Sequence, residues 1–204
     1  MIDKKGFTLI ELLAVITILG ILMLVAIPAV SRTIENARKN TFITTAQTYV
    51  EAVRNSWAAD EISCDDASGR KVASALPVDA DYYVEFDTEA GATPASNNAS
   101  ALIGDGGKSS WGSAEVKGYV LIHVASVPAS GGAGGGGATP TGADSIKLTY
   151  YVSMVDSGGH GIPATVATSG TGGVPADQLT RADVSVTGAT YGGPPSGTSC
   201  VVTG

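Results

Sequence analysis

Residues 12–30 form a run of nineteen positions without a charge, apolar throughout except for Thr17. About twenty such residues are needed to cross the hydrocarbon core of a bilayer as a helix. A single carboxylate, Glu11, stands at the upstream end of the run, just after Lys4 and Lys5. A fixed charge at the centre of a membrane helix is unfavourable by about 2.5–3.5 kcal/mol on insertion scales. A chain that needed only an anchor would carry leucine there. Glu11 therefore needs a partner, and on the sequence alone no residue of its own helix supplies one.

Two ordinary readings account for part of this pattern. A secretory signal peptide has a basic start, an apolar core of about 7–15 residues and a small-x-small cleavage site. Lys4 and Lys5 fit the first feature, and Ala29-Val30-Ser31 imitates the last. Glu11 interrupts that core, however, and the run is too long. A plain signal anchor fits the length but leaves Gly6-Phe7 and Glu11 without a reason.

The stretch Gly-Phe-Thr-Leu-Ile-Glu-Leu-Leu at residues 6–13 resembles the class III signal of type IV prepilins and pseudopilins. The resemblance covers roughly the first 55 residues. It implies cleavage between Gly6 and Phe7 by a prepilin peptidase and N-methylation of Phe7. It makes Glu11 the assembly glutamate, five residues into the mature chain, and Pro28 the helix-breaking proline the family often carries. It implies a single-pass protein of the cytoplasmic membrane, handed to the pilus assembly machinery and afterwards part of an extracellular filament.

Charge agrees with a cytoplasmic N-terminus, with one conflict. Lys4 and Lys5 favour that orientation, whereas Arg32, Arg38 and Lys39 pull the other way. A long exported domain translocates largely regardless of nearby charge, so the first pair decides. The formal net charge is −7, and loss of Asp3, Lys4 and Lys5 with a leader takes the side-chain charge to −8. Such a surface argues against nucleic acid as the main partner.

Beyond the apolar run the helix is expected to continue to about Asp60. Ile34, Ala37, Phe42, Ala46, Tyr49 or Val50, Val53 and Trp57 recur at three- and four-residue steps. Pro28 removes one backbone hydrogen bond and predicts a kink or local opening. With aromatics at only 6%, the stripe reads as core packing under a sheet and not as a stacked path for electrons.

The remaining chain reads as strands joined by loops. Residues 82–86, 116–124 and 146–155 are the strongest β-type runs, with residues 183–187 as a fourth and residues 200–202 as a short last one. Residues 62–80 read as a loop with at most a short strand. The glycines, 27 in all, concentrate in the connections. The extreme case, residues 131–137, reads as the cap of a long hairpin, since no Gly-Lys-Ser/Thr follows that would make it a phosphate cradle. A helix followed by antiparallel strands gives an α+β fold, the sheet packed on the amphipathic half of the helix. The expected organisation is leader 1–6, membrane and assembly helix 7–30, amphipathic helix 31–60 and a β-domain 61–204.

Cys64 and Cys200 are the two cysteines, and in an exported chain they can form one bridge, closing a loop of about 135 residues. Two free thiols are the alternative. Nothing catalytic is expected. His123 lies in an apolar strand and reads as a packed residue. His160 lies in a glycine loop with no cysteine or carboxylate at metal-ligand spacing. Asp65, Asp66, Asp79, Asp81 and Asp87 read as solvated acids, without a calcium-loop pattern. No Gly-x-Ser-x-Gly or Walker sequence is present, and no cofactor is expected. Asn98-Ala99-Ser100 matches a glycosylation sequon.

Assembly is the expected function: a homo-oligomeric helical filament in which Glu11 accepts the new Phe7 amine of a neighbour. A major type IV pilin is the first reading. A minor pilin or a secretion or competence pseudopilin would share every N-terminal feature. A signal-anchored monomeric surface binding domain is the alternative of another class. Adhesion, twitching motility and DNA uptake are not separable on these residues.

Overall fold

A computed structural model describes residues 8–66, 69–88, 108–112, 115–127, 145–170 and 172–202. The glycine-rich stretch 131–137, the sequon at Asn98 and the junction Gly6-Phe7 lie outside the described residues. One long helix, α1 (Leu9–Ala58), opens the fold. The chain divides into two compact units, Met1–Arg38 and Lys39–Gly204.

In the first unit the helix is apolar and exposed: Leu9, Leu24 and Val25 are each more than two-thirds accessible. Ile34 and Ala37, expected to begin the packed stripe, are exposed as well. Pro28 lies inside the run of helical residues, which continues on both sides of it.

In the second unit the helix is amphipathic. Phe42, Ile43, Ala46, Tyr49, Val50, Val53 and Trp57 are buried, the three-and-four spacing of a single face. The helix stops at Asp60, which adopts a left-handed conformation with φ 57°. The Glu61 amide donates to the Ser56 carbonyl and the Asp60 amide to that of Trp57. This is a Schellman closure, with aspartate where glycine is usual. The Asp60 side chain compensates by accepting the Ser74 amide at 2.8 Å.

Among the described residues seven strands follow: β1 (Ile62–Asp66), β2 (Gly69–Val72), β3 (Ala80–Asp87), β4 (Val116–Val127), β5 (Ser145–Asp156), β6 (Gly161–Ile162) and β7 (Thr198–Val202). They form one sheet in the order β2-β1-β7-β3-β4-β5-β6. The β3-β4-β5 meander is antiparallel and carries the longest pairings, with β4 and β5 matched from Val116 opposite Asp156 to Val127 opposite Ser145. The hairpin expected around residues 131–137 is therefore present in its two strands.

Three features depart from the sequence expectation. Residues 62–72 form a two-strand hairpin. Residues 183–187 are not a strand: Arg181–Asp183 is a 3₁₀ turn and Ser185 makes one isolated bridge to Gly161. The sheet is mixed, because β7 runs antiparallel to β1 but parallel to β3.

The core lies between residues 39–58 of α1 and the inner face of the sheet. Tyr82, Val84 and Phe86 of β3, Val120, Ile122 and Val124 of β4, and Tyr150, Val152 and Met154 of β5 alternate inward, the two-residue period of a strand. Tyr49 stacks on Phe86 with ring centroids 4.0 Å apart. Gly118 makes that stack possible, since a Cβ there would lie 2.5 Å from Phe86 and 2.1 Å from the Ser153 carbonyl. The outer face is covered too. Tyr119, Leu121, Tyr151 and Ala167 cluster there, with Ala164 and Tyr191 of the C-terminal segment packed on them. The Tyr119 hydroxyl donates to the Ala167 carbonyl at 3.1 Å, and burial pushes its pKa up to about 12.

The cysteines pair. Cys64 of β1 and Cys200 of β7 face each other in register and form a disulfide. It ties the last strand to the first, across 136 residues of chain.

Candidate functional site

The N-terminal end of α1 carries the candidate assembly site. Thr8 precedes the helix as its N-cap, and Glu11 is the third helical residue. The Glu11 carboxylate accepts the Thr8 amide at 3.0 Å and the Thr8 hydroxyl at 2.8 Å through the same oxygen, Oε2. The Glu11 amide in turn faces the Thr8 hydroxyl oxygen at 3.4 Å. This is a capping box, satisfying helix-end donors reciprocally.

The expectation that the helix offers Glu11 nothing is corrected here: Thr8 supplies two donors. Both are neutral, and they spare Glu11 the loss of hydrogen bonding without cancelling its charge. The box also fixes where the carboxylate sits, one turn into the helix. The signal was in the sequence, since Thr-x-x-Glu before an apolar run is a known start pattern. Gly6 and Phe7, the expected cleavage and methylation positions, lie outside the described residues.

Downstream, hydroxyls along residues 17–33 bond back to their own helix. The Thr17 hydroxyl donates to the Ala14 carbonyl at 2.8 Å, Ser31 to Ile27 at 3.0 Å and Thr33 to Ala29 at 3.1 Å. Hydroxyls bonded back to their own helix can sit in hydrocarbon at little cost. Among the described residues this is the one helix long and apolar enough to cross a membrane.

The globular unit contains two constellations that invite a catalytic reading. Asp156 is buried with its side chain inaccessible. It accepts the Ser109 hydroxyl, the Gly158 and His160 amides at 2.9 Å and the His160 Nδ1 at 3.0 Å. Asp81 likewise accepts the Ser169 hydroxyl and meets His123 Nδ1 at 2.7 Å. His160 meets one carboxylate, Asp156, and His123, expected to be packed, is about one-third exposed beside Asp81. In each set the carboxylate stands between hydroxyl and imidazole. Activating a serine requires the imidazole to face the hydroxyl, so these contacts fasten loops. His160 also stacks on Trp111, ring centroids 4.8 Å apart. Among the expected solvated acids, Asp79 instead binds the Ser126 amide and hydroxyl, and Asp87 pairs with Lys117 at 3.2 Å. Among the described residues no three His, Cys, Asp or Glu side chains gather as a metal site would need.

The Asp156 contacts predict an acid-sensitive fold. Burial alone would raise its pKa, but the Ser109 hydroxyl and the His160 amide and imidazole outweigh burial and hold the carboxyl below its usual range. A carboxyl with a depressed folded pKa stabilises fully above its unfolded value, near 4, and loses that contribution as pH falls through the folded value. Asp156→Ala leaves several buried donors unmatched and should cost about 2–4 kcal/mol at pH 7. In urea unfolding, the gap between wild type and variant should narrow as pH falls from 7 to 2.5. An unchanged gap would refute the assignment.

Comparison with known proteins agrees with the N-terminal geometry. Residues 1–27 match the family described as the prokaryotic N-terminal methylation motif. The type IV major pilin protein PilE of Neisseria gonorrhoeae is 36% identical over 97 residues, which is 48% of this chain and 58% of that protein. The chain thus spans less than two-thirds of the length of that relative. No solved structure matches the chain. The methylation motif at residues 1–27, the long N-terminal helix and the α+β fold together resemble the layout of a type IV pilin.

Proposed function

We propose that this chain is the major structural subunit of a type IV pilus. A prepilin peptidase cuts between Gly6 and Phe7, and Phe7 is N-methylated. The subunit waits in the cytoplasmic membrane with its N-terminus on the cytoplasmic side and residues 7–30 in the bilayer. The assembly machinery then moves it into an extracellular filament.

The observation that carries this reading is an exposed, apolar helical segment headed by a capped carboxylate without a counter-charge among the described residues. Lipid covers such a surface before assembly, and the same surface of neighbouring subunits covers it afterwards. Glu11 and the Phe7 amine of the next subunit form the pair that fixes axial register, since any other register buries a charge alone. A contact of this kind does not close on itself and propagates as a helix. The name of the gonococcal relative favours the major subunit over a minor pilin or pseudopilin. The role is structural, with no reaction assigned.

The test is direct. Filaments sheared from cells should consist mainly of this chain, and mass spectrometry should find a methylated Phe7 at its N-terminus. Gly6→Trp should leave the chain unprocessed and the filaments absent. A mature chain starting at any other residue, or one scarce in the filaments, would reject the proposal.

A further inference from the structure

The globular unit carries two surface sites of opposite charge at opposite ends. The first is a cleft of about 450 Å³. It lies where β4 begins and β5 ends, and Glu115, Lys117, Asp156, Gly188, Thr190 and Tyr191 line it. Lys117 is held by Asp87 at 3.2 Å, and Asp156 is spent on its own loop. Glu115 is half-buried and has no cationic partner among the described residues. Its walls are tied by hydrogen bonds: Asp156 accepts the Gly158 and His160 amides, and the Tyr191 hydroxyl donates to Glu85 at 2.6 Å.

The second site is a pocket of about 200 Å³ lined by Arg54, Lys147, Thr149, Asp177 and Gln178 among others. Two cations face one carboxylate there. Arg54 lies over the Tyr150 ring at 4.9 Å, and Lys147 has no anionic partner among the described residues.

Their placement gives the two sites a direction. The acidic cleft is level with Phe42, because Trp111 packs on both Phe42 and His160. The basic pocket is level with Arg54, twelve residues further along the helix, or about 18 Å at 1.5 Å per residue. Along β5, Lys147 and Asp156 are nine residues apart, about 30 Å at the rise of a strand. Helix and strand agree that the cleft and the pocket lie at opposite ends of the unit along the helix direction.

We propose that the Glu115 cleft of one copy receives Lys147, with Arg54 beside it, from a second copy stacked end-on along the helix axis. The contact is heterologous: each copy offers an acidic end to one neighbour and a basic end to the other, so it repeats without closing. Complementary charge suppresses wrong registers, since sliding brings like charges together. This rests on the filament reading above and adds to it a contact between globular units, separate from Glu11.

The experiment uses the full chain in cells. Glu115→Lys and Lys147→Glu should each lower the yield of sheared filaments several-fold, and the double charge swap should restore it. In parallel, Glu115→Cys combined with Lys147→Cys should give a ladder of cross-linked subunits on non-reducing gels, absent from either single variant. The cysteine pair keeps the test open even if a reversed charge unfolds the subunit. Abundant filaments with neither rescue nor ladder would overturn this contact and leave the filament reading standing. If the unsubstituted chain forms no filaments, both fall.

Discussion

Glu11→Ala is expected to leave the subunit abundant in the membrane and to abolish filaments. The substitution removes the capping box, and a lost cap costs about 1 kcal/mol, too little to prevent a long apolar helix from forming. It also removes a charge from hydrocarbon, which favours insertion. The damage falls on assembly, where the amine of Phe7 from the next subunit enters the helical bundle without its counter-charge. An uncompensated buried charge costs about 3–5 kcal/mol. At 1.4 kcal/mol per tenfold, each addition step weakens by two to three orders of magnitude, enough to stop a polymer from growing.

The capping box makes the experiment sharper, because Glu11 has two jobs that separate by mutation. Glu11→Gln keeps an oxygen for the Thr8 donors and loses the charge. Thr8→Val keeps the charge and loses the hydroxyl that bonds to Oε2 at 2.8 Å. If ion pairing drives assembly, Glu11→Gln resembles Glu11→Ala and Thr8→Val resembles wild type. Membrane fractions and sheared filaments, blotted side by side, read both outcomes. Normal piliation with Glu11→Gln would show that Glu11 serves the helix end and not the neighbour.

What was legible in the sequence was what depends on periodicity. Phe42, Ala46, Val53 and Trp57 recur at helical spacing and are buried. Residues 82–86, 116–124 and 146–155 lie within β3, β4 and β5. Ile34 and Ala37 keep the spacing but are exposed, because spacing alone does not say where an opposing surface begins. β1 falls where only a loop with a short strand is expected, because Ile-Ser-Cys-Asp-Asp has one strong β former, Ile62, and no clean alternation. It becomes a strand by pairing with β2 and β7, a tertiary effect that overrides propensity. Residues 183–187 show the reverse, a β-like run that finds only one bridging partner. The parallel entry of β7 between β1 and β3 leaves no local trace at all. At the candidate sites the sequence carries local patterns of its own. Thr8-x-x-Glu11 is a capping box, and Asp156 with His160 brackets a Gly-Gly turn that brings the two side chains together.

Breaking the Cys64–Cys200 bridge should release one side of the sheet and spare the other. β7 is the joint: it meets β1 over three residue pairs and β3 over only two. β3, β4 and β5 hold one another by eight and twelve pairs and bury the same helix face. The disulfide closes a loop of 136 residues, for which chain-entropy models give about 4–5 kcal/mol and removal from secreted domains typically costs about 2–5 kcal/mol. That is a large share of the 5–15 kcal/mol that stabilises a typical domain. With Cys64→Ser and Cys200→Ser together, the short pairings of β7 cannot offset the entropy of closing so long a loop. The amides of β1, β2 and β7 should then exchange with solvent about a thousandfold faster, equivalent to roughly 4 kcal/mol. Those of β4 and the paired part of β5 should keep most of their protection. Uniform acceleration across all seven strands would mean that the sheet unfolds as one body and that β7 is not its weak seam.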